Sequence, residues 1–334
     1  MVKHIIPPFE EIFSIENLFR VWQDFKKGKK NKKDVADFSM RLIYNLSILR
    51  NEILSGTYKH MGYVYFKIND PKSRDIHKAT VRDRVLHHAI YNALYPYFDQ
   101  KFIFDSYSCR LDKGTHKALK RFEKFAKIES CNYKKIVWIL KCDIKKCFAS
   151  VNHDILKSIL SKHIKDKRLF SVIVSVIESF WPGIPLGNLT SQLFVNTYLN
   201  ELDLYVKHRI KAEKYIRYAD DFVFFSRDKN SLISMVSQIK DFLHFKLNCS
   251  IHERKISIKT LSSGVDFLGW VHFPKYKVLR TKAKRRIFRN IIPGNSAQIA
   301  SYLGLLKHGN ASKIQRRIKS KYAKIGEWEL KMSS

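Results

Sequence analysis

Apolar positions along the chain recur at two spacings. Over residues 9–60 they follow helical spacing, with Leu42, Leu46 and Leu49 on one face, and Gly56-Thr57 ends the run. The same spacing predicts helices over 83–100, 112–128, 153–165, 168–179, 192–210 and 229–245. Short, nearly continuous apolar runs predict strands at roughly 136–143, 214–219 and 221–226, with a last strand region at 255–273. Tyr63, Tyr65 and Lys67 alternate with apolar neighbours, as a two-faced strand does. Beyond residue 275 the pattern is helical again, at 281–291 and 295–307. The longest apolar run, 169–181, is broken by Ser and Glu and falls well short of the about 20 residues of a membrane span.

Two of the predicted strands meet at Tyr218-Ala219-Asp220-Asp221, which makes a hairpin with an acidic tip. Such a pair is either a solvated turn or part of a two-magnesium nucleotidyl-transfer site. The second case needs oxygen ligands that bridge two hard cations about 3.5–4 Å apart. A further acid, Asp143, ends the apolar run that begins at Ile136, and a helix starts beyond it at Ser150 or Asn152. Asp143 reads as a turn or capping acid, or as a metal ligand facing the hairpin tip. Phe148, five residues on, reads as a core ring, or as a ring under the sugar of an incoming nucleotide that excludes a 2′-hydroxyl.

Charge narrows the class. The 334 residues carry 63 Lys and Arg against 30 acids, a net charge of +33. Solubility does not need that excess; it implies a polyanionic partner, with nucleic acid ahead of an anionic membrane. Neither end carries a basic amphipathic helix or a lipidation signal, so no membrane partner is expected. The basic stretch at 26–33 is either a solvated loop or a contact to an RNA backbone. From Lys275 to the end, sixteen Lys and Arg face two acids, Glu327 and Glu329. The N-terminus is not a signal peptide, and the five scattered cysteines suit reduced thiols, which together point to the cytoplasm.

Six blocks in order carry a family resemblance. Lys72-Ser73-Arg74-Asp75-Ile76 with Val81-Arg82-Asp83-Arg84-Val85 resembles the first fingers block of bacterial retroelement reverse transcriptases, and Ser106-Tyr107-Ser108-Cys109-Arg110 with Lys113-Gly114-Thr115-His116 the second. Asp143 to Phe148 resembles the palm block with the first catalytic aspartate, and Tyr218 to Asp221 the polymerase signature. Leu247-Asn248 with Lys255 resembles the block that follows, and Val265-Asp266-Phe267-Leu268-Gly269-Trp270 the primer grip. The group includes group II intron proteins, retrons and diversity-generating retroelements.

The resemblance implies an α+β right-hand polymerase: an N-terminal extension and fingers at 1–135, a palm with an antiparallel sheet and interleaved helices 153–210 at 136–270, and a basic helical thumb at 271–334. It implies a polymerase core without an RNase H domain or zinc endonuclease. Asp143, Asp220 and Asp221 would be the catalytic metal ligands, with the Ile144 carbonyl, for two Mg2+ ions or Mn2+ as a substitute. Arg74 and Arg110 would hold the triphosphate, a task suited to a planar fork, although Lys72 and Lys78 stand near Arg74. Lys255 would approach the leaving pyrophosphate, and Phe148 would be the steric gate. Leu186, Gly187, Ser191 and Gln192 would line the nucleotide–template pocket, Tyr218 would support the hairpin, and Phe267, Leu268 and Gly269 would grip the primer.

One departure points to a subgroup. Most reverse transcriptases carry Gln-Gly-x-x-x-Ser-Pro before the catalytic hairpin, whereas this chain reads Leu186-Gly187-Asn188-Leu189-Thr190-Ser191-Gln192. The double change is similar to enzymes of diversity-generating retroelements, which copy a template-repeat RNA with errors at adenines. Residues 301–310 look like the thumb of the same subgroup. That resemblance implies template RNA, a cDNA primer strand, dNTPs and a small basic accessory protein that forms a ring-like oligomer. The alternatives are a retron, phage-defence or group II intron-like enzyme, and a non-catalytic RNA-binding protein of the same fold.

Overall fold

The computed structural model describes residues 4–69 and 73–323. The helical run at the N-terminus resolves into α1 (Phe9–Ile12), α2 (Ile15–Phe25), α3 (Lys33–Met40) and α4 (Leu42–Leu54). Ser14 caps α2 by accepting the Asn17 N–H at 3.1 Å, and the basic stretch before α3 is turn. A ribbon follows, β1 (Tyr63–Ile68) paired with β2 (Arg74–Ala79), then α5 (Val81–Asp99), capped by Thr80, and α6 (Thr115–Glu129). β3 (Trp138–Asp143) leads into a single 3-10 turn at Cys147–Ser150. Asn152, not Ser150, then caps α7 (His153–Ser161), accepting the Ile155 N–H at 3.0 Å.

After α8 (Lys167–Glu178) comes α9 (Leu189–His208), then the hairpin β4 (Tyr215–Tyr218) and β5 (Asp221–Ser226), and α10 (Lys229–Leu247). The strand region expected at 255–273 is broken into β6 (Ser257–Thr260), β7 (Val265–Phe267) and β8 (Trp270–Phe273). Gly264 and the Leu268-Gly269 loop, all at positive φ, make the breaks. β9 (Tyr276–Leu279), α11 (Thr281–Asn290), α12 (Ser296–Leu306) and α13 (Ser312–Ile318) follow, and a π-helical turn at Lys319–Ala323 ends the described chain.

The central sheet has the order β4-β5-β3-β6, all antiparallel. Its strands read as continuous apolar runs because both faces are covered. Leu140, Cys142, Phe222 and Phe224 point into one core, shared with α5, α7, α9 and α10. Ile139, Val223 and Phe225 point into a second core, shared with α6 and the small sheet β7-β8-β9. α9 is buried around most of its circumference and carries buried Asn196, Asn200 and Asp203 beneath the sheet.

These cores cut across the three expected segments. The first joins residues 9–102 to the sheet, and the second joins α6 to the C-terminal elements. A boundary at 270 would also split the β7-β8-β9 sheet at the first residue of β8. No helix among the described residues is long and apolar enough to cross a membrane.

Candidate active site

The acidic tip is the two-residue loop Ala219-Asp220 between Tyr218 and Asp221, which pair across the hairpin. Ala219 takes a φ of +54°, a left-handed position that a non-glycine residue adopts at some cost. Three contacts hold it. The Ile144 N–H donates to the Asp220 carbonyl at 3.1 Å. The Tyr218 hydroxyl meets Thr115 Oγ1 at 3.0 Å. From below, Arg217 Nη1 donates to the Ala219 carbonyl at 3.2 Å.

That arginine is fully buried and belongs to a closed network. Its Nε donates to Asp203 Oδ1 and Oδ2 at 2.8 and 2.9 Å, its Nη2 to Oδ2 at 2.6 Å, and its Nη1 also to Asn196 Oδ1 at 3.2 Å. The Tyr215 hydroxyl donates to Asp203 Oδ1 at 2.8 Å. Burial alone would favour a neutral Arg217, but the Asp203 charge outweighs it and the guanidinium is held above its ordinary pKa.

On top of the hairpin lie the acids. Asp143 and Asp221 are directly opposite in the β3–β5 register, which sets their Cβ atoms about 4.5–5.5 Å apart. Asp143 is buried and accepts from Lys255 Nζ at 2.6 Å; Asp221 has Lys141 Nζ at 3.7 Å. Burial raises the Asp221 pKa above the usual carboxylate value, and the like charges of Asp220 and Asp143 raise it further, against the pull of Lys141 and Lys255. Backbone N–H groups of Lys145 and His252 bond the Ser250 and Asp143 carbonyls, a pattern that leaves the Ile144 carbonyl out of the ladder.

These are hard oxygen donors, the set that suits Mg2+ or Mn2+. Mutual repulsion of the carboxylates is what a bound cation relieves. Among the described residues no three acidic, histidine or cysteine side chains converge as a closed chelate. The acids form an open set, partly neutralised by two lysines.

The segment before α9 docks on the ribbon. The His77 N–H donates to the Leu186 carbonyl at 2.9 Å, Asn188 Nδ2 donates to the His77 carbonyl at 3.0 Å, and the Ala79 N–H donates to Asn188 Oδ1 at 3.2 Å. Gly187 has a φ of +115°, and a Cβ there would meet Ile76 Cγ2 at 2.8 Å, so only glycine lets this segment lie on β2. Thr190 is fixed by His87 Nδ1 at 2.7 Å; burial pushes His87 down to about 3, so its ring is neutral. Leu186 is half-buried, Ser191 buried and Gln192 exposed on the first turn of α9. Phe148 is half-buried against the first core, in the turn just after β3.

Two expectations are corrected. Arg110 does not reach out as a triphosphate arm. Its side chain is nearly buried over the Phe102 ring, with Nε on Asp99 Oδ1 at 2.6 Å and other donors on the carbonyls of Ile103, Ser106 and Asp99 at 2.7–3.0 Å. Four bonds from a five-donor group make it a staple for the loop between α5 and α6. Phe267 is also core: it is fully buried and stacks on Phe122 with centroids 5.4 Å apart. Leu268 and Gly269 form the partly exposed loop of the β7–β8 hairpin. Arg74 is exposed at the end of β2, opposite Ile68. Lys72 lies outside the described residues.

The reverse transcriptase (RNA-dependent DNA polymerase) family profile matches residues 67–272, more than half of the chain and all of this site. This chain belongs to the reverse transcriptase family. The family is one of RNA-directed DNA polymerases, and the chain carries that enzyme's domain. It is 25% identical over 273 residues to the protein YkfC of Escherichia coli, covering 69% of this chain and 71% of YkfC. It is 23% identical to the group II intron-encoded protein LtrA of Lactococcus lactis subsp. cremoris over 276 residues, 61% of this chain but only 45% of LtrA. Among solved structures, apo telomerase from Candida tropicalis superimposes with a TM-score of 0.54 at 12% identity, covering 82% of this chain and 58% of the telomerase chain. Telomerase from Candida albicans, in complex with a fragment of telomeric RNA, gives 0.51 at 11% identity, covering 81% and 56%. These likenesses show the fold, a right hand with fingers, palm and thumb.

In this reverse transcriptase the network beneath the acids escaped the pattern reading. Its signal was present: Arg217 is a charge next to the apolar pair Tyr215-Ile216 in a strand-like run, and Asp203 stands between Leu202 and Leu204 in a helix with an apolar face. Buried charges require partners. Lys141 is the same kind of signal, a cation two residues before Asp143 in a buried strand.

Proposed function

We propose that the chain is the error-prone reverse transcriptase of a diversity-generating retroelement, which copies a template-repeat RNA into adenine-mutagenised cDNA with a small basic accessory protein. Leu186 is the observation that carries this reading. It stands where most relatives have glutamine, and the His77 N–H bond to its carbonyl fixes the backbone of this half-buried residue against β2, which supports a fixed aliphatic side chain there. Gln192, in place of a proline, is the second departure and lies exposed on α9.

The roles follow from the positions. Asp143, Asp220 and Asp221, with the Ile144 carbonyl, would hold two Mg2+ ions, or Mn2+. Such ions supply charge neutralisation for the attacking and leaving oxygens. Lys255, which donates to Asp143 at 2.6 Å, would move a proton to the departing pyrophosphate. Arg74, exposed on β2, is the remaining candidate for the triphosphate, Phe148 for the steric gate, and Leu268 with Gly269 for the primer grip. Basic side chains of the C-terminal helices suit phosphate contacts on a template–primer duplex.

The test is Leu186→Gln. A glutamine restores one polar check on the nascent pair, worth about 0.5–1.5 kcal/mol net, or up to roughly tenfold in discrimination. Sequencing of cDNA made from one adenine-rich RNA, with and without the accessory protein, should show wild-type errors concentrated at adenines and reduced in the variant. Faithful adenine copying by the wild type would end the diversity-generating reading. The likeness to LtrA favours a second reading, a group II intron-like enzyme, which that outcome would support.

A further inference from the structure

The first turn of α9 is anchored by a buried side chain rather than by a cap. Asn188, just before the helix, uses its side chain on the ribbon and makes no cap bond to the turn. The anchor is Thr190, 1% exposed, whose Oγ1 lies 2.7 Å from His87 Nδ1. His87 stands on α5, buried, and its other nitrogen, Nε2, lies 3.0 Å from Nε2 of His60. His60 belongs to the link between α4 and β1, and its side chain is buried as well. Three segments that are distant in sequence thus meet in one line of polar atoms.

The line ends beside Asp83, which is wholly buried and one turn before His87 on α5. Its Oδ1 accepts from the Tyr58 hydroxyl at 2.9 Å and Arg82 Nη1 at 3.2 Å, and its Oδ2 from the Met61 N–H at 3.1 Å and Thr80 Oγ1 at 2.7 Å. Those bonds clamp residues 58–61 onto α5. Asp83 Oδ2 also lies 3.8 Å from His60 Nδ1, and the Met61 carbonyl bonds the same nitrogen. Tyr63, the first residue of β1, stacks on His60 with centroids 4.8 Å apart and planes 24° off parallel. Its hydroxyl is 3.4 Å from His60 Nε2 and 2.6 Å from Ser179 Oγ, just after α8.

The direction of the bonds follows from those oxygens. An imidazole nitrogen that faces a carbonyl and a carboxylate carries the hydrogen, so His60 Nδ1 donates and, in the neutral ring, Nε2 accepts. His87 Nε2 is then the N–H that meets it. Burial keeps His87 neutral, so its Nδ1 is a lone pair and the Thr190 hydroxyl donates to it. Each hydrogen in the line is committed, from Thr190 through His87 and His60 to the Met61 carbonyl. A bond removed from it leaves a buried polar atom unpaired.

We infer that His60 and His87 are positioning residues of the polymerase, a two-ring strut that sets the first turn of α9 and so places Leu186, Ser191 and Gln192 at the nucleotide–template pocket. The inference rests on the assignment of that segment to the pocket. Both rings are buried, so they act through Thr190. The ribbon shares the support: β1 begins on His60 through Tyr63, and β2 carries the Leu186 segment through His77.

The full chain is assayed by single-nucleotide primer extension, which gives kcat, KM for the correct dNTP and the ratio of wrong to right incorporation. Thr190→Val keeps the volume and removes the hydroxyl; His60→Phe keeps a ring on Tyr63 and removes both nitrogens. Each should raise KM for dNTP roughly 2- to 10-fold, the equivalent of one net hydrogen bond, and raise the ratio, with kcat near wild type. Thr190→Ser should restore both. The double variant Thr190→Val, His60→Phe should be no worse than the more affected single one, because the two residues act through one line of bonds. Partial unfolding lowers the active fraction, and with it the apparent kcat, but leaves KM unchanged, so KM reports position rather than stability. If His60→Phe does not fold, Thr190→Val against Thr190→Ser decides alone. Wild-type KM and ratio in Thr190→Val, equal values for Thr190→Val and Thr190→Ser, or effects that multiply in the double variant would overturn the proposal. Gln192→Ala separates it from the pocket assignment. A changed KM or ratio there with unchanged Thr190 and His60 variants would reject the strut and keep the pocket; no change in any variant would reject both.

Discussion

Removing Asp203 should damage the enzyme in two separable ways, because the Arg217–Asp203 pair does two jobs. Both side chains are wholly buried, with three N–H···O contacts of 2.6–2.9 Å between them and a fourth bond to Asp203 from Tyr215. Asp203→Ala leaves a guanidinium without its counter-charge in a place water does not reach. Breaking such a pair costs about 3–5 kcal/mol, a large part of the roughly 5–15 kcal/mol of a typical domain. The loss should appear as a lowered denaturant midpoint at an unchanged slope. The triple variant Arg217→Met, Asp203→Leu, Tyr215→Phe removes every charged member at similar volume, and should return to within about 2 kcal/mol of wild type. It should still be a poor polymerase. The bond from Arg217 to the Ala219 carbonyl is gone, and a hydrogen bond from a charged donor is worth about 1.5–3 kcal/mol, or roughly 10- to 150-fold at most. Steady-state primer extension should show the fall in kcat with little change in KM for dNTP, because the tip positions the acids rather than the nucleotide. A stable triple variant with wild-type kcat would refute the positioning role. An Asp203→Ala loss below about 1 kcal/mol would refute the account of the buried pair.

Three further outcomes follow from the site. Asp143→Asn or Asp220→Asn should abolish primer extension in magnesium, since each would take one anionic oxygen from the set proposed to hold the metal ions, while an amide of the same shape keeps the fold; near-wild-type extension would remove these acids from the mechanism. Asp221→Asn should stabilise the metal-free protein at neutral pH, because a carboxyl raised above its ordinary value of 3.8 is charged at a cost there; that cost is full above the raised value and vanishes as the pH falls through it, so the two melting curves should converge on acidification, and parallel curves would contradict the sign. Phe148→Ala should raise incorporation of each ribonucleotide relative to its deoxy partner, and an unchanged ratio would return this half-buried ring to the core alone.

Much of the site was legible because its residues break a local rule. Acids at the ends of apolar runs, as at Asp143 and Asp220-Asp221, contradict their surroundings and so stand out. The central strands were legible because burial on both faces makes them continuously apolar. β2 was not. Arg74-Asp75-Ile76-His77-Lys78 has no apolar alternation, and its strand form comes from ladder bonds to β1 and from the segment at Leu186. Arg110 was misread for a related reason. An arginine that grips phosphate and one that staples a loop have the same sequence signature, and the partners that decide, Asp99 and three carbonyls, are assembled only by the fold.

The two kinds of cation around the hairpin divide its labour. Below the tip stands Arg217, wholly buried and bonded through every nitrogen to fixed acceptors. A guanidinium cannot lose its proton there, and its planar fork matches one carboxylate in one orientation. That makes it a structural charge. Above the tip stand Lys141 and Lys255, the latter 41% exposed, on flexible stems that end in compact ammonium groups. Their partners are Asp143 and Asp221, two of the carboxylates proposed to hold the metal ions. Lys255, the more exposed of the two, can swing from its carboxylate to a phosphate in an exchange that keeps one ion pair. The arrangement thus keeps the acids from repelling one another before substrate arrives, while the part of the network that must not move is placed where water and substrate cannot reach it.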